Sequence, residues 1–147
     1  MGKDRVTDDP AVFQETMGTF IRAFGLHQPE LTPHGQPIPV SEAHALGELA
    51  REGELRQVEL ARRLRLVKST VSRLVGQLAA RGWVERSSAR ADGRGVVLRL
   101  TPAGQRAAEE LATARRERFS RLLGSIPEHE RAGVLHSLGV LVEALDE

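Results

Sequence analysis

Cysteine is absent from the chain, tyrosine is absent, and the aromatic residues amount to four Phe and one Trp. The first absence excludes disulfides, cysteine-ligated zinc, iron–sulfur clusters and thiol-based redox switching, and it fits a reducing compartment. The scarcity of aromatics leaves Leu, Val and Ala to build the core, a composition that suits helices. No uninterrupted apolar run approaches the roughly 18 residues of a membrane span. "MGKDRVTDDP" is too acidic and polar for a signal peptide, and Val6 stands where a myristoylation signal wants Ser or Thr. A soluble cytoplasmic protein without membrane attachment is expected. Enzyme signatures are missing as well: no Ser-His-Asp constellation is legible, there is no P-loop, and "GRGVVL" lacks the glycine-rich dinucleotide fingerprint. Neither an enzyme nor a cofactor is expected.

Net charge is close to zero, at +1, but it is unevenly distributed. Residues 51–106 carry 13 Lys and Arg against five Asp and Glu, whereas the remainder carries eight against 15. A basic middle between acidic ends points to a polyanionic partner for the middle.

The helix signals are plain. Asp8 or Asp9 with Pro10 opens a first helix with an apolar stripe of Phe13, Met17, Phe20, Ile21 and Phe24, closed by Gly25. "LHQPELTPHGQPIPVS", with four prolines, reads as a loop or extended linker. Ser41 then opens a helix aligning Ala43, Leu46, Leu49 and Ala50. In "RQVELARRL", Val58, Ala61 and Leu64 are apolar and Leu60 flanks them. A tight break at 65–67 leads into a further helix that stops at Gly82. Beyond it, "WVER" and "GVVLRL" have β composition and enclose the basic turn "SSARADGR", a hairpin. Thr101-Pro102 starts a long helix to Gly124, and a last helix begins near Pro127.

The decisive stretch is "LRLVKSTVSRLVGQL", residues 64–78. Leu64, Val67, Val71, Leu74, Val75 and Leu78 form an apolar face at helical spacing. Ser69, Ser72, Arg73 and Gly76 lie opposite, flanked by Lys68, Thr70 and Gln77. Such a slim, hydrogen-bonding face fits the major groove of duplex DNA, where hydroxyls reach phosphates or bases and Arg holds guanine O6 and N7. Gly76 either allows close backbone approach or reflects neutral drift. Two short helices joined by a tight break form a helix-turn-helix. The basic hairpin, with Arg86, Arg90 and Arg94, suits phosphates or a narrow minor groove and acts as a wing.

On these residues the chain resembles the MarR-family transcriptional regulators. The matching features are the "xELAxxL" helix, "KSTVSRLVxxL", "RGWVER", the wing's "DGR" and "LTPAG". Val67 stands where family members often have a capping Asp or Ser, and Gly93 replaces a frequent second arginine. The resemblance implies a mainly α fold: a winged helix-turn-helix with a small β-hairpin wing, flanked by N- and C-terminal dimerisation helices. Residues 1–40 would hold the first dimerisation helix and the proline-rich loop, 41–101 the DNA-binding domain and 102–147 the C-terminal dimerisation helices. The function implied is that of a repressor binding double-stranded DNA as a homodimer on a pseudo-palindromic operator. Ser69, Thr70, Ser72 and Arg73 would face the major groove and Lys68 a phosphate, while Arg94, oriented by Asp92, would probe the minor groove. A small, often anionic aromatic effector would bind near the first two helices and the proline loop.

The terminal apolar residues leave two arrangements open, an intramolecular bundle or a dimer. Phe13, Met17, Phe20, Ile21, Leu138, Leu141, Val142 and Leu145 are the dimerisation candidates, and the resemblance favours the dimer. Two other functions compete with DNA binding. One is a helical protein-interaction module whose basic block meets an acidic protein. The other is a metal-responsive regulator in which His27, His34 and His44, with Glu30 or Glu42, converge around the proline loop on zinc, although the scattered histidines lack metal-ligand spacing and no metal is expected.

Overall fold

The computed structural model describes residues 8–31, 37–88 and 95–146. Six helices and five strands lie in these segments: α1 (Pro10–Phe24), β1 (Glu30–Leu31), β2 (Pro37–Ile38), α2 (Val40–Glu52), β3 (Glu54–Arg56), α3 (Gln57–Leu64), α4 (Lys68–Ala80), β4 (Val84–Ser88), β5 (Val96–Leu100), α5 (Pro102–Gly124) and α6 (Glu128–Leu145). The chain divides into two compact units, Met1–Leu111 and Ala112–Glu147.

In the first unit, α1 starts as its sequence predicts. The Asp9 carboxylate accepts a hydrogen bond from the Ala11 N–H at 2.9 Å, Pro10 occupies the first helical position, and Gly25 closes the helix in the left-handed region at φ 75°. The proline-rich segment is more ordered than a plain loop, because β1 and β2 pair antiparallel with Glu30 opposite Ile38. Its Ile38 is fully buried in the core. The helix α2 begins at Val40 after Pro39, and no side chain caps it. Ser41 therefore lies inside the helix instead of opening it.

The core gathers Leu46 and Leu49 of α2, Leu60 of α3, Val71, Val75 and Leu78 of α4, and Leu98 of β5, all fully buried. Burial of a side chain of this size stabilises by about 1.5–3 kcal/mol. Two assignments along α3 change places. Leu60, read as a flanking residue, is wholly buried, while Val58 is 56% exposed. Leu60, Ala61 and Leu64, spaced i, i+1 and i+4, share the inward face of the helix and leave Val58 outside it.

Residues 54–56 supply a strand that the hairpin reading did not contain. The sheet order is β3-β5-β4, antiparallel throughout. Leu55 pairs with Leu98 and Val84 with Leu100, so the apolar positions share one face. Glu54 lies directly opposite Arg99 and forms an ion pair with it. The two outward charges thus complement each other along the sheet.

At the start of α5, Thr101 caps the helix. Its Oγ1 accepts from the Gly104 N–H at 3.0 Å and donates to the Gly82 carbonyl at 2.6 Å. Ala107, Ala108 and Leu111 of the same helix are buried. In the second unit, α6 follows Pro127 and has no buried residue.

Candidate nucleic-acid interface

The helix pair α3–α4 is joined by residues 65–67. Arg65 adopts the left-handed conformation at φ 55°, the one non-glycine residue at positive φ among those described. Its N–H bonds to the Ala61 and Arg62 carbonyls, and Leu66 N–H bonds to the Ala61 carbonyl. This turn closes α3 without the glycine that usually marks such a stop. Leu66 packs against the core, whereas Val67 occupies the N-cap of α4, makes no side-chain cap bond and is 67% exposed. Val67 is thus not part of the apolar face read from the sequence. At the N-cap its backbone is still extended, so the helical spacing does not apply to it.

From Lys68 onward the helix keeps its pattern. Val71, Leu74, Val75 and Leu78 are buried. Lys68, Ser69, Ser72, Arg73 and Gln77 are exposed, and Thr70 and Gly76 are half-buried. The polar stripe is thereby brought together on one accessible face with small side chains and one long reach, Arg73.

Arg86 joins this face from β4. Its Nη2 lies 3.1 Å from where a Cβ on Gly76 would stand. Arg90, Asp92 and Arg94 lie outside the described residues.

The cations of this unit fall into two groups. Arg63 is held by three carboxylates: Nη1 contacts Glu48 at 3.1 Å and Glu52 at 2.8 Å, and Nε contacts Glu59 at 3.1 Å. These contacts tie α2 to α3. Hydrogen bonds from Arg62 and then Arg63 hold the Glu59 carboxyl at about 2, well below the usual 4.5, and the same carboxylates raise the Arg63 guanidinium. Arg51 pairs with Glu48. Arg81 stands 3.5 Å from the buried Glu42 and lies over the Trp83 ring at 5.1 Å. In contrast, Lys68, Arg73 and Arg86 have no carboxylate partner among the described residues. Charge that is neutralised within the fold adds little to an external field. The charge left on the α4 side is available to a polyanion.

Several of these features escaped the sequence reading. The burial of Glu42 is one of them, because only the packing around it shows that it is covered. The seat of Arg86 on Gly76 depends on the placement of β4 beside α4. The proposed dimerisation residues are largely uncovered in the single chain: Phe13, Phe20 and Ile21 of α1 are exposed, and so are Leu138, Val142 and Leu145 of α6. Met17 and Leu141 are half-buried. His27 and His44 are exposed, and His34 lies outside the described residues. Among the described residues no three metal-ligating side chains of the His, Cys, Asp or Glu type come together. No described helix is long and apolar enough to cross a membrane.

A helix-turn-helix between the first strand and the last two strands of a three-stranded sheet, followed by a long helix, defines the chain as a winged helix-turn-helix protein. Residues 36–95 match the model of the MarR family. An HTH-type transcriptional regulator of Mycobacterium tuberculosis is 28% identical over 111 residues, which cover 76% of this chain and 78% of that protein. Two solved structures share the fold. FabT of Streptococcus pneumoniae, solved in complex with DNA, superposes with a TM-score of 0.78 at 18% identity, covering 92% of this chain and 96% of FabT. PcaV of Streptomyces coelicolor, solved with its natural ligand, gives 0.71 at 21% identity over 99% of each chain. Over the matched segment the chain resembles the MarR family, and it shares the winged helix-turn-helix fold of these solved structures. The mycobacterial relative and PcaV are regulators of transcription, not enzymes.

Proposed function

We propose that this chain is a homodimeric repressor that binds a pseudo-palindromic duplex operator sequence-specifically and is released by a small-molecule ligand. The observation that carries the DNA contact is the accessible stripe of α4. Ser69, Ser72 and Arg73 are exposed there, Thr70 is half-buried beside them, and neither Lys68 nor Arg73 has a carboxylate partner among the described residues. In this reading the serines, Thr70 and Arg73 enter the major groove, where an Arg–guanine pair discriminates bases by about 1–3 kcal/mol. Lys68 holds a phosphate. The wing residues Arg90, Asp92 and Arg94 complete the contact, with Arg94 in the minor groove and Asp92 orienting it. Residues 41–101 thus form the reading part, and residues 1–40 and 102–147 join the two copies.

Dimerisation is supported by the apolar side chains left exposed on α1 and, separately, on α6. A two-fold dimer would set its two α4 helices roughly 34 Å apart, about one turn of duplex. Ligand release rests on the MarR resemblance and on PcaV, which is known with its natural ligand.

The test is a gel shift with duplex taken from upstream of the gene, repeated over a salt series. Binding that falls steeply with salt and exceeds binding to random duplex supports the proposal. Failure to bind either duplex at low salt overturns it. Addition of benzoate-class aromatic anions to the bound complex then tests release.

A further inference from the structure

Gly76 lies on the exposed stripe of α4, three residues beyond Arg73, four beyond Ser72 and seven beyond Ser69. All four therefore share one helical face. Over this glycine lies a side chain from a different element. Strand alternation explains how it gets there. Val84 and Arg86 are two residues apart on β4 and share a face of the sheet. Val84 is buried, and Arg86 pairs with Leu98, which is fully buried. Arg86 thus leaves the sheet on its core-facing side. Residues 85–88 are all exposed, because β4 is an outer strand of the sheet and its side chains there lie at the rim of the core. What lies next to it there is α4, at the one position of the stripe without a side chain.

The fit is close. A Cβ at position 76 would stand 3.1 Å from Arg86 Nη2, inside ordinary van der Waals distance, and no other heavy atom outside the helix lies within 4 Å of it. Arg86 has no carboxylate partner among the described residues. Its charge is delivered to the end of the stripe that begins with Ser69.

We infer that Gly76 is the seat of Arg86: the missing side chain lets an arginine of β4 lie across the recognition helix, where it holds a backbone phosphate at the rim of the major groove. This rests on the DNA-binding reading above and deepens it. Phosphate is the target because base edges are reached mainly from the N-terminal part of such a helix, and Gly76 lies in the C-terminal half of α4. Arg86 is accordingly a second arginine of the α4 face and not a wing-tip cation. Gly76 is a positioning residue that acts through it.

A double-mutant cycle tests the inference, with binding of the full chain to duplex from upstream of its gene read by fluorescence anisotropy across a salt series. Arg86→Ala should weaken binding roughly tenfold, the size of one lost charge-assisted hydrogen bond. It should do so equally on specific and random duplex and lower the salt slope by about one. Gly76→Ala should also weaken binding and lower the slope. Its melting temperature should not fall, because Ala favours the helix over Gly. In the Arg86→Ala background, Gly76→Ala should cost nothing further. Two results overturn the seat: Gly76→Ala binding like the wild type, or Gly76→Ala costing the same factor with and without Arg86. The latter would mean that the glycine serves the approach of DNA itself. A wild-type chain that binds no duplex at low salt is a separate outcome, which removes the DNA-binding reading and the inference with it.

Discussion

A Cβ on Gly104 would stand 2.0 Å from the carbonyl oxygen of Trp83. The backbone of α5 therefore lies directly against the segment that leads from α4 into β4. Thr101 completes this clasp. Its N–H donates to the same Trp83 carbonyl at 3.0 Å, and its hydroxyl donates to the Gly82 carbonyl at 2.6 Å. Gly104→Ala must push the two backbones apart, and a destabilisation of about 2–3 kcal/mol is expected in urea unfolding. Thr101→Ala removes the helix cap and should cost about 1–2 kcal/mol.

Glu42 is 2% exposed, and its Oε1 accepts no hydrogen bond in the described structure, with Arg81 as its charged partner at 3.5 Å. Arg81→Ala strands a buried carboxylate and should destabilise by about 3 kcal/mol. Glu42→Gln removes the charge that needs compensation and should cost clearly less. Equal losses in urea titrations of the two variants would show that the pair is not electrostatically coupled.

Glu59 links stability to pH. Its folded pKa, about 2, lies below the ordinary 4.5 because Arg62 and Arg63 donate to the charged form. A depressed carboxylate contributes stability that is fully present above the unfolded value and is lost as pH falls through the folded one. The contribution should therefore fade between about pH 4.5 and pH 2. Melting curves across that range should fall less steeply for Glu59→Gln than for the wild type.

Lys68 and Arg73 both lie exposed on α4 but are given different tasks. Arg73→Ala should weaken specific binding by about 1–3 kcal/mol and relax sequence preference, whereas Lys68→Ala should weaken all duplexes alike and lower the salt slope by about one. Competition assays with specific and random duplex separate the two.

The exposed Phe20 and Leu138 carry the dimer proposal. Sedimentation equilibrium should show an apparent mass that rises with concentration towards twice 16.1 kDa. Phe20→Glu and Leu138→Glu should each shift the chain towards the monomer. A mass of one chain at all concentrations would sink the dimer.

Local rules were enough for much of the architecture. Asp9 with Pro10, Gly25, and Thr101 with Pro102 mark helix ends through bonds made within a few residues, so they are readable in one dimension. The buried positions Val71, Leu74, Val75 and Leu78 follow from helical period alone. The strand β3 escaped notice because three residues carry too little alternation to register, and they become a strand only by pairing with β5. The prolines of residues 26–41 masked a two-residue ladder for a similar reason.

By itself the sequence determined the helix-turn-helix, the slim polar face of α4 and the concentration of positive charge in the middle of the chain, since periodicity, capping and composition are local properties. Tertiary structure decided which charges remain available. It assigned Arg63 to three carboxylates and Arg81 to Glu42, and it laid Arg86 over Gly76. Those outcomes depend on which elements pack side by side, and an arginine in a string of letters gives no sign of the neighbour that will neutralise it or the gap that will receive it.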